Sequence, residues 1–409
     1  MKTRMNKLTT IATIVAALTF ATQAYAQPSS LSEGVVRIGV MTDMSSLYSD
    51  FSGKGSVEAV KMAVEDFGGK VLGKPIEVIS ADHQNKTDVA AAKAREWFDN
   101  ERVDIIVDLV SSGVALAVNE VGRQMNKLVV VSAAYTNVLT EEQCAPYTIH
   151  YQADSAALTS TPRILVKQGA DSWFFLTADY AFGHTMERQA TEAIKSGGGK
   201  VVGSTKHPLN AADFSSFLLL AQASGAKIVG LANAGGDTIN AIKAANEFGL
   251  TRSGKQSLVA MKVFESDVGG MGLPIAQGLY TTVSFYWDRD AASRTWAERF
   301  NKRVGKMPSE VHAADYSATM HYLKAISAAG TDETKSISEK MRTMKVNDFF
   351  ATNGTIREDG LLVKDLYLVQ VKKPAESKRA WDFFKIISTI PSDQAYAQIQ
   401  KSRCPLLKK

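Results

Sequence analysis

The first part of the chain alternates short apolar runs with amphipathic segments. The apolar runs are rich in β-branched residues, as buried strands are, and they lie at 35–41, 76–81, 103–110 and 128–132. Helical periodicity fills the intervals at 56–67, 88–100 and 114–127, and in the first of these Val57, Val60 and Val64 share one stripe. This alternation predicts an α/β fold on a doubly wound parallel sheet.

The same alternation begins again in the middle of the chain. Strands are predicted at 173–176, 201–204, 228–231 and 258–261, with helices at 183–195, 214–223 and 238–248. A second sheet of the same kind is therefore expected. Residues 147–155, between the two sheets, are extended and lack the composition of a flexible linker, which predicts a short rigid crossover.

The last part of the chain is more helical and is expected to cross between the two halves. Helices are predicted at 291–304, 311–329 and 337–344, between extended segments at 279–284, 354–357 and 366–372. The chain should return to the first half near residue 280 and cross again near residue 350. The prediction is two lobes joined by a three-crossing hinge: residues 27–152 and 280–350 form lobe 1, residues 153–279 and 351–390 form lobe 2, and residues 391–409 form a tail.

Residues 1–26 have the pattern of a cleaved signal peptide. Basic residues precede an uncharged apolar stretch at 8–20 that is too short to span a bilayer, and Ala24-Tyr25-Ala26 supplies the small residues that signal peptidase reads. We expect cleavage after Ala26 and export as a soluble protein, without a lipid anchor because no Cys follows the apolar stretch.

Charge and hydropathy exclude two classes of protein. The formal net charge of +5 at pH 7 becomes nearly neutral without the basic residues of the leader, and no basic run predicts a nucleic-acid interface. After the leader, no apolar run approaches the length of a membrane span.

Cys144 and Cys404 are the only cysteines. In an exported chain they most simply form one disulfide. It would close a loop of about 260 residues, for which the chain-entropy treatment gives roughly 5 kcal/mol. Two free thiols are the alternative.

Ser111-Ser112-Gly113 is the stretch with the most suggestive chemistry. It ends a predicted strand and begins a predicted helix, whose first N–H groups would point beyond the strand end. Such a helix N-terminus is a favourable anion site, and parallel sheets bind ligands at this edge. Two interpretations stay open: the serines hold a ligand carboxylate, or one of them only caps the helix.

Enzyme signatures were not found. No G-x-S-x-G elbow or H-E-x-x-H motif occurs. Residues 53–58 begin like a dinucleotide fingerprint, but Glu58 stands where the third glycine belongs, so a plain turn is favoured. Phe285-Tyr286-Trp287 is interpreted as hinge or core packing, and the six histidines as structural or surface residues. No catalytic residue, metal or cofactor is expected.

Several strings, in their order and spacing over nearly the whole mature chain, carry a resemblance. They are Val36-Arg37-Ile38-Gly39-Val40, Leu109-Val110-Ser111-Ser112, Ser132-Ala133-Ala134-Tyr135-Thr136, Asp179-Tyr180-Ala181-Phe182-Gly183, and Gly278-Leu279-Tyr280 before Phe285-Tyr286-Trp287. With the leader and the two α/β halves, they resemble the leucine/isoleucine/valine-binding protein family. These are the type I periplasmic solute-binding proteins of ATP-driven importers.

The resemblance implies a set of ligand-binding residues, which are Tyr48, Ser111, Ser112, Ala134, Thr136, Tyr180, Asn233 and Glu265. Ser111 matches the serine that holds the ligand carboxylate, and Ala134 and Thr136 match the next loop. Tyr48 would lie over the ligand, and Tyr180 would close across it from lobe 2.

Glu265 lies near the acid that holds an ammonium group in amino-acid-binding members, and Asp267 or Asp237 could serve instead. The residues 233–236, Asn-Ala-Gly-Gly, replace an aromatic residue of the family. We interpret this replacement as added room in the site.

The resemblance implies a periplasmic binding protein that closes over a small carboxylate-bearing solute and delivers it to an inner-membrane ABC permease, acting as a monomer. The solute could be an amino acid, an aromatic or other organic acid, or an amide. A sensory co-receptor with the same fold and a secreted α/β enzyme are the alternatives.

Overall fold

The structure is a computed structural model that describes residues 1, 31–250 and 254–407. Apart from Met1, the predicted signal peptide and its cleavage site lie outside the described residues. No helix in the described ranges is long and apolar enough to cross a membrane.

Lobe 1 is built on a six-stranded sheet with the strand order β2-β3-β1-β4-β5-β6. Its elements in chain order are β1 (Val36–Thr42), α1 (Gly53–Phe67), β2 (Lys70–Val71), β3 (Lys74–Asp82), α2 (Thr87–Asp99), β4 (Ile105–Asp108), α3 (Ser112–Met125), β5 (Leu128–Val131) and β6 (Thr148–His150). Every pairing is parallel except that of β2 with β3. The predicted crossover at 147–155 therefore begins as a strand of this sheet.

Lobe 2 is built on a four-stranded parallel sheet with the order β10-β9-β7-β8. Its elements are α4 (Ser160–Lys167), β7 (Ser172–Ala178), α5 (Ala181–Ser196), β8 (Lys200–His207), α6 (Ser215–Ala223), β9 (Ile228–Ala232), α7 (Gly236–Phe248), β10 (Ser257–Ala260), α8 (Glu265–Met271) and α9 (Leu273–Ala276). The predicted α/β class with two parallel sheets is confirmed, although α4, α8 and α9 were not predicted.

The last part of the chain adds helices and a small antiparallel sheet. The remaining elements are β11 (Tyr280–Val283), α10 (Ala291–Val304), α11 (Glu310–Ala329), α12 (Thr334–Thr343), β12 (Thr355–Ile356), β13 (Leu362–Val363), β14 (Leu366–Val371), β15 (Phe384–Ile390) and α13 (Ser392–Ala395). Helices α10 and α11 pack on α1 of lobe 1, and β11 contacts β10 and α4 of lobe 2. Strands β11, β14 and β15 pair antiparallel.

The chain thus passes between the lobes after β6, after β11 and before β14. The limits of the lobes given above remain a prediction. Phe285 and Trp287 are fully buried, and Phe285 packs edge-on against Trp296 and Phe349, which confirms core packing for this aromatic string.

β4 ends at Asp108, two residues before the predicted end of the strand at 110. Asp108 and Leu109 have φ angles of 78° and 63°, a left-handed conformation that interrupts strand pairing and is costly for residues other than glycine. Because Leu109 and Val110 are apolar, the apolar run of the sequence continues through this turn and gives no sign of it. The turn places Ser111 at the N-cap position of α3.

The predicted disulfide joins Cys144 to Cys404, with the Cα atoms 5.5 Å apart. Neighbouring contacts hold the tail on lobe 1: the Ser402 hydroxyl donates to the carbonyl of Thr140 over 3.0 Å, and Arg403 forms ion pairs with Glu141 and Glu142. The alternative of two free thiols does not apply.

Replacing both cysteines by serine should lower the free energy of unfolding, because the unfolded chain regains the freedom of a very long loop. The expected loss is about 2–5 kcal/mol, measured by urea denaturation under oxidising conditions. The wild type in the presence of a reductant is the control and should approach the variant. Equal stability of all three samples would contradict a structural role for the bridge.

Candidate ligand-binding site

Loops at the carboxyl ends of the two parallel sheets face each other and are in contact. The rings of Phe51 in lobe 1 and Phe264 in lobe 2 stack with centroids 3.9 Å apart. Tyr48 of lobe 1 and Tyr180 of lobe 2 lie 6.4 Å apart, 30° from parallel. The site is therefore formed jointly by the two lobes, at the edge where parallel sheets bind ligands.

Ser111 and the first turn of α3 supply donors for an anion. The first hydrogen bond of this helix runs from the N–H of Ala115 to the carbonyl of Ser111, so the N–H groups of residues 112–114 precede the helical ladder. Ser111 stands at the N-cap, yet its hydroxyl makes no capping hydrogen bond. Ser111 is thus not used as a cap, and ligand binding at Ser111 and Ser112 stays a prediction.

The loop after β5 places Ala134 and Thr136 in the same buried edge. The carbonyl oxygen of Ala134 accepts the Nε2–H of His150 over 2.8 Å, and the N–H of Ala134 is the group that could donate to a ligand anion. The Thr136 hydroxyl accepts from the N–H of Val138, which leaves its proton to be donated. Both residues keep one donor for an anionic group.

Tyr48 is 2% exposed, and its hydroxyl is a buried group without a hydrogen-bond partner in the described part of the chain. Burial raises the pKa of Tyr48 well above its usual value, and the neighbouring Tyr180 adds to the rise. Both phenols are therefore neutral donors. Two aromatic faces from opposite lobes, each carrying a hydroxyl, suit the wall of a cleft.

The interpretation of residues 233–236 as added room is wrong. Gly235 has φ +60°, and a Cβ atom built on it would lie 3.0 Å from the carbonyl oxygen of Leu47 and 3.3 Å from the ring of Tyr48. A Cβ on Gly236 would lie 2.8 Å from Leu47. The space made by the two glycines is filled by the loop after β1, so these residues allow close approach of the lobes.

The Asn233 side chain is used within lobe 2. Its Oδ1 accepts from the Thr238 hydroxyl over 2.8 Å, and its Nδ2 lies 3.2 Å from Nε2 of His207. This fully buried network holds the loop after β9 in place. A ligand contact from Asn233 stays a prediction.

Three carboxyl groups were considered for an ammonium group, and Glu265 is the one with a buried oxygen that has no hydrogen-bond partner among the described residues. Asp237 accepts from the N–H groups of Asn210 and Ala211, and Asp267 accepts from the N–H of Phe264. The oxygen of Glu265 concerned is Oε1.

Glu265 is 2% exposed. Burial raises its pKa to about 8, with Glu310 adding to the rise and Lys262 opposing it. The group therefore holds a proton at neutral pH in this state of the protein. As a neutral acid it can donate a hydrogen bond, and as an anion it could pair with a cation.

The sequence did not predict a buried ion pair between the lobes. Lys262, just after β10, pairs with Glu310 at the start of α11, and the two side chains are 0% and 2% exposed. The Tyr135 hydroxyl also donates to Glu310, and the other oxygen of Glu310 accepts the N–H of Ser284 over 2.6 Å. Lys262 donates in turn to the carbonyl of Thr282 over 3.1 Å.

The ammonium of Lys262 also lies 4.8 Å from the centre of the Phe264 ring and 5.2 Å from that of Tyr135. A lone lysine directly after the apolar strand 257–260 was the available signal for this position. The pair of Lys262 and Glu310 can stabilise contact between the lobes.

The candidate site as a whole combines donors from the N-terminus of α3 and the loop after β5 with the rings of Tyr48 and Tyr180. This arrangement can bind, orient and enclose a small anion.

Comparisons with known proteins agree with the fold. The family model described as "Periplasmic binding protein" matches residues 35–378. No curated protein matches the chain.

Solved structures of related proteins superimpose over most of the chain. A periplasmic binding protein from Burkholderia mallei is 52% identical, covers 92% of this chain and 100% of its own, and has a TM-score of 0.90. A branched-chain amino acid ABC transporter periplasmic ligand-binding protein from Burkholderia xenovorans LB400 is 40% identical, covers 91% and 99%, and has a TM-score of 0.81.

A more distant relative shares the fold. It is an ABC transporter solute-binding protein from Rhodopseudomonas palustris BisB5 in complex with 3,4-dihydroxybenzoic acid. It is 23% identical, covers 88% of this chain and 98% of its own, and has a TM-score of 0.79.

Replacing Gly235 by alanine should hold the lobes apart, because the added methyl group meets the loop after β1 of lobe 1. This contact exists only in the closed form, so it would shift the population toward more open forms, seen as a larger radius of gyration in X-ray scattering. Gly225→Ala is the matched control, since Gly225 has φ +61° with open space around it. An unchanged radius in Gly235→Ala would show that these glycines do not control closure.

Proposed function

Because the chain belongs to the type I periplasmic binding protein family, we propose that it is the solute-binding component of an ABC importer, taking a small carboxylate-bearing solute between its lobes and presenting it to an inner-membrane permease. The family is one of periplasmic binding proteins, and the relative from Burkholderia xenovorans LB400 is described as an ABC transporter component. The mechanism is binding and closure, without bond-making. Cleavage of the leader after Ala26 and action as a monomer belong to the same proposal.

The uncapped N-terminus of α3 is the observation that carries this proposal. The N–H groups of residues 112–114 and the hydroxyl of Ser111 belong to the N-terminal end of α3, a helix of lobe 1 that packs against α5 of lobe 2. A carboxylate held there would gain roughly 0.5–2 kcal/mol from the helix dipole and roughly 1.5–3 kcal/mol from each charged hydrogen bond. Thr136 and the N–H of Ala134 extend the set of donors.

Closure would follow from contacts that the ligand makes with both lobes. Tyr180, the loop 233–237 and the loop 264–267 belong to lobe 2, whereas Tyr48 and Ser111 belong to lobe 1. A ligand shifts an open–closed equilibrium only by as much as it binds the closed form more tightly. Hinge closure around a ligand is the known behaviour of periplasmic binding proteins, and the buried pair of Lys262 and Glu310 would add to the closed state of this chain.

Two ligand classes fit the carboxylate site, and Glu265 discriminates between them. An amino acid would place its ammonium group near the unpartnered oxygen of Glu265, and the relative from Burkholderia xenovorans LB400 is described as a branched-chain amino acid transporter component. An aromatic acid would need only the carboxylate site and the walls of Tyr48 and Tyr180. The complex of the 23% identical relative bears on the fold alone, so benzoates enter as probes.

The double variant Ser111→Ala, Thr136→Ala should lose carboxylate binding, because two donors are removed from the anion. The loss of two charged hydrogen bonds should weaken binding by at least about a hundredfold. The measurement is a thermal-shift screen of the wild type with L-leucine, benzoate and acetamide, followed by calorimetry with any probe that binds.

Thr295→Ala is the control for this pair of substitutions, since that hydroxyl bonds only within α10 at the surface. It should leave the affinity unchanged. Undiminished affinity in the double variant would remove the carboxylate site from the proposal.

The variant Glu265→Gln should separate the two ligand classes. Glu265 must lose its proton to pair with an ammonium group, and its pKa lies at about 8. The affinity for L-leucine should therefore rise as the pH rises toward 8, by up to about tenfold per pH unit. The variant should bind L-leucine more weakly, with an affinity that no longer depends on pH in this range. Benzoate is the control ligand, with little change. Unaltered leucine binding in Glu265→Gln would exclude the ammonium contact.

A further inference from the structure

The carboxylate of Glu310 lies where three segments of the chain meet. Its Oε1 accepts from the ammonium of Lys262 and from the Tyr135 hydroxyl, and its Oε2 accepts the N–H of Ser284 over 2.6 Å. Lys262 follows β10 of lobe 2, Tyr135 follows β5 of lobe 1, and Ser284 follows β11, where the chain passes between the lobes. One side chain thus contacts both lobes and a crossing segment.

Tyr135 connects this cluster to the candidate site, because it lies between Ala134 and Thr136. Tyr135 is 5% exposed, and the ring centroids of Phe182 and Phe264, both of lobe 2, lie 6.1 Å from its own. Burial raises the pKa of Tyr135 well above its usual value, and the neighbouring carboxylate adds to the rise. The hydroxyl therefore keeps its proton and donates it.

The adjoining backbone of this loop is tied to lobe 1. The N–H of Ala133 donates to the carbonyl of Asp108 over 3.2 Å, and the carbonyl of Ala134 accepts from His150. The Tyr135 hydroxyl adds a link of a different kind, because its partner is a carboxylate that also pairs with lobe 2.

The strength of that link depends on the position of lobe 2. Glu310 is 1% exposed, and a buried carboxylate is stable when its counter-ion and its hydrogen-bond donors are in place. When the lobes separate, Lys262 moves away with lobe 2, and water must reach Glu310 to replace it. Water then competes with the Tyr135 hydroxyl for the same oxygen, so this hydrogen bond contributes less.

We propose that Glu310 is a positioning residue for the candidate site: through Tyr135 it holds the loop 134–136 in place, and it does so fully only while Lys262 pairs with it. The order of this loop and the contact between the lobes are therefore coupled. Coupling is reciprocal, so a ligand that fixes the loop favours closure by the same factor. This consequence for a ligand rests on the proposed function, whereas the coupling is tested without ligand.

A double-variant cycle of Tyr135→Phe and Lys262→Met tests the coupling. The first variant removes the hydroxyl and keeps the ring, and the second removes the charge from lobe 2 and keeps most of the length of the side chain. The measurement is the hydrogen-exchange protection of amides 133–138 without ligand. Amides 133, 137 and 138 are hydrogen-bonded within lobe 1, so they report the order of the loop.

Tyr135→Phe should lower this protection by at least about tenfold, because a hydrogen bond to a charged group is lost. Lys262→Met should lower it as well, since a buried charge without its counter-ion favours forms in which water reaches Glu310. The double variant should exchange little faster than the more affected single variant, because the hydroxyl no longer anchors the loop once Lys262 is absent.

Lys372→Met is the matched control. Lys372 pairs with Asp382, which also accepts from the Tyr286 hydroxyl over 3.4 Å, so it belongs to a cluster of the same kind beside the small antiparallel sheet. Its replacement should lower the free energy of unfolding but leave the exchange of amides 133–138 as in the wild type.

An equal loss of protection from Tyr135→Phe with and without Lys262 would overturn the proposal, because the loop would then be anchored independently of lobe 2. So would unchanged protection in Lys262→Met. If Lys262→Met does not fold, Lys262→Gln replaces it in the cycle, and the same two results decide. Binding of the carboxylate probes is measured separately, so failure of the coupling leaves the proposed function standing.

Discussion

The pairing of buried charges across the two lobes is the interaction on which the closed arrangement depends. Lys262 comes from lobe 2 and Glu310 from lobe 1, and removing either partner from a buried pair costs several kcal/mol. Separation of the lobes therefore requires that water take over both charges. The stacked rings of Phe51 and Phe264 keep water out of the same region, so the charge pair and the aromatic contacts reinforce each other.

Local pattern was sufficient for most elements but not for the contacts between them. The prediction for α10 at 291–304 agrees with the structure residue for residue, because its apolar stripe and its ends are both local signals. The end of β4 was missed because Asp108 and Leu109 adopt a left-handed turn that long-range hydrogen bonds to Ser52 and Ser132 maintain. Long-range contacts of this kind leave no periodicity in a sequence.

The residues of the candidate site were likewise predicted only in part from the sequence. Ser111, Thr136 and Tyr180 were implied by the family resemblance and supported by their positions after strands, and the structure brings their loops to one edge. Lys262 and Glu310 were missed because their meaning comes only from each other, across 48 positions of chain. The glycines at 235 and 236 show the converse error: small residues predicted space, yet the opposing lobe fills it.

The bond between Cys144 and Cys404 has a topological consequence. The chain reaches Cys404 from β15, which pairs with β14 on the side of lobe 2, whereas Cys144 follows β5 of lobe 1. The bridge is thus a fourth covalent connection between bodies that the backbone already links three times. Cutting any single connecting segment would leave the two lobes covalently linked. The length of the tail between β15 and Cys404 sets an upper limit on how far the lobes can separate.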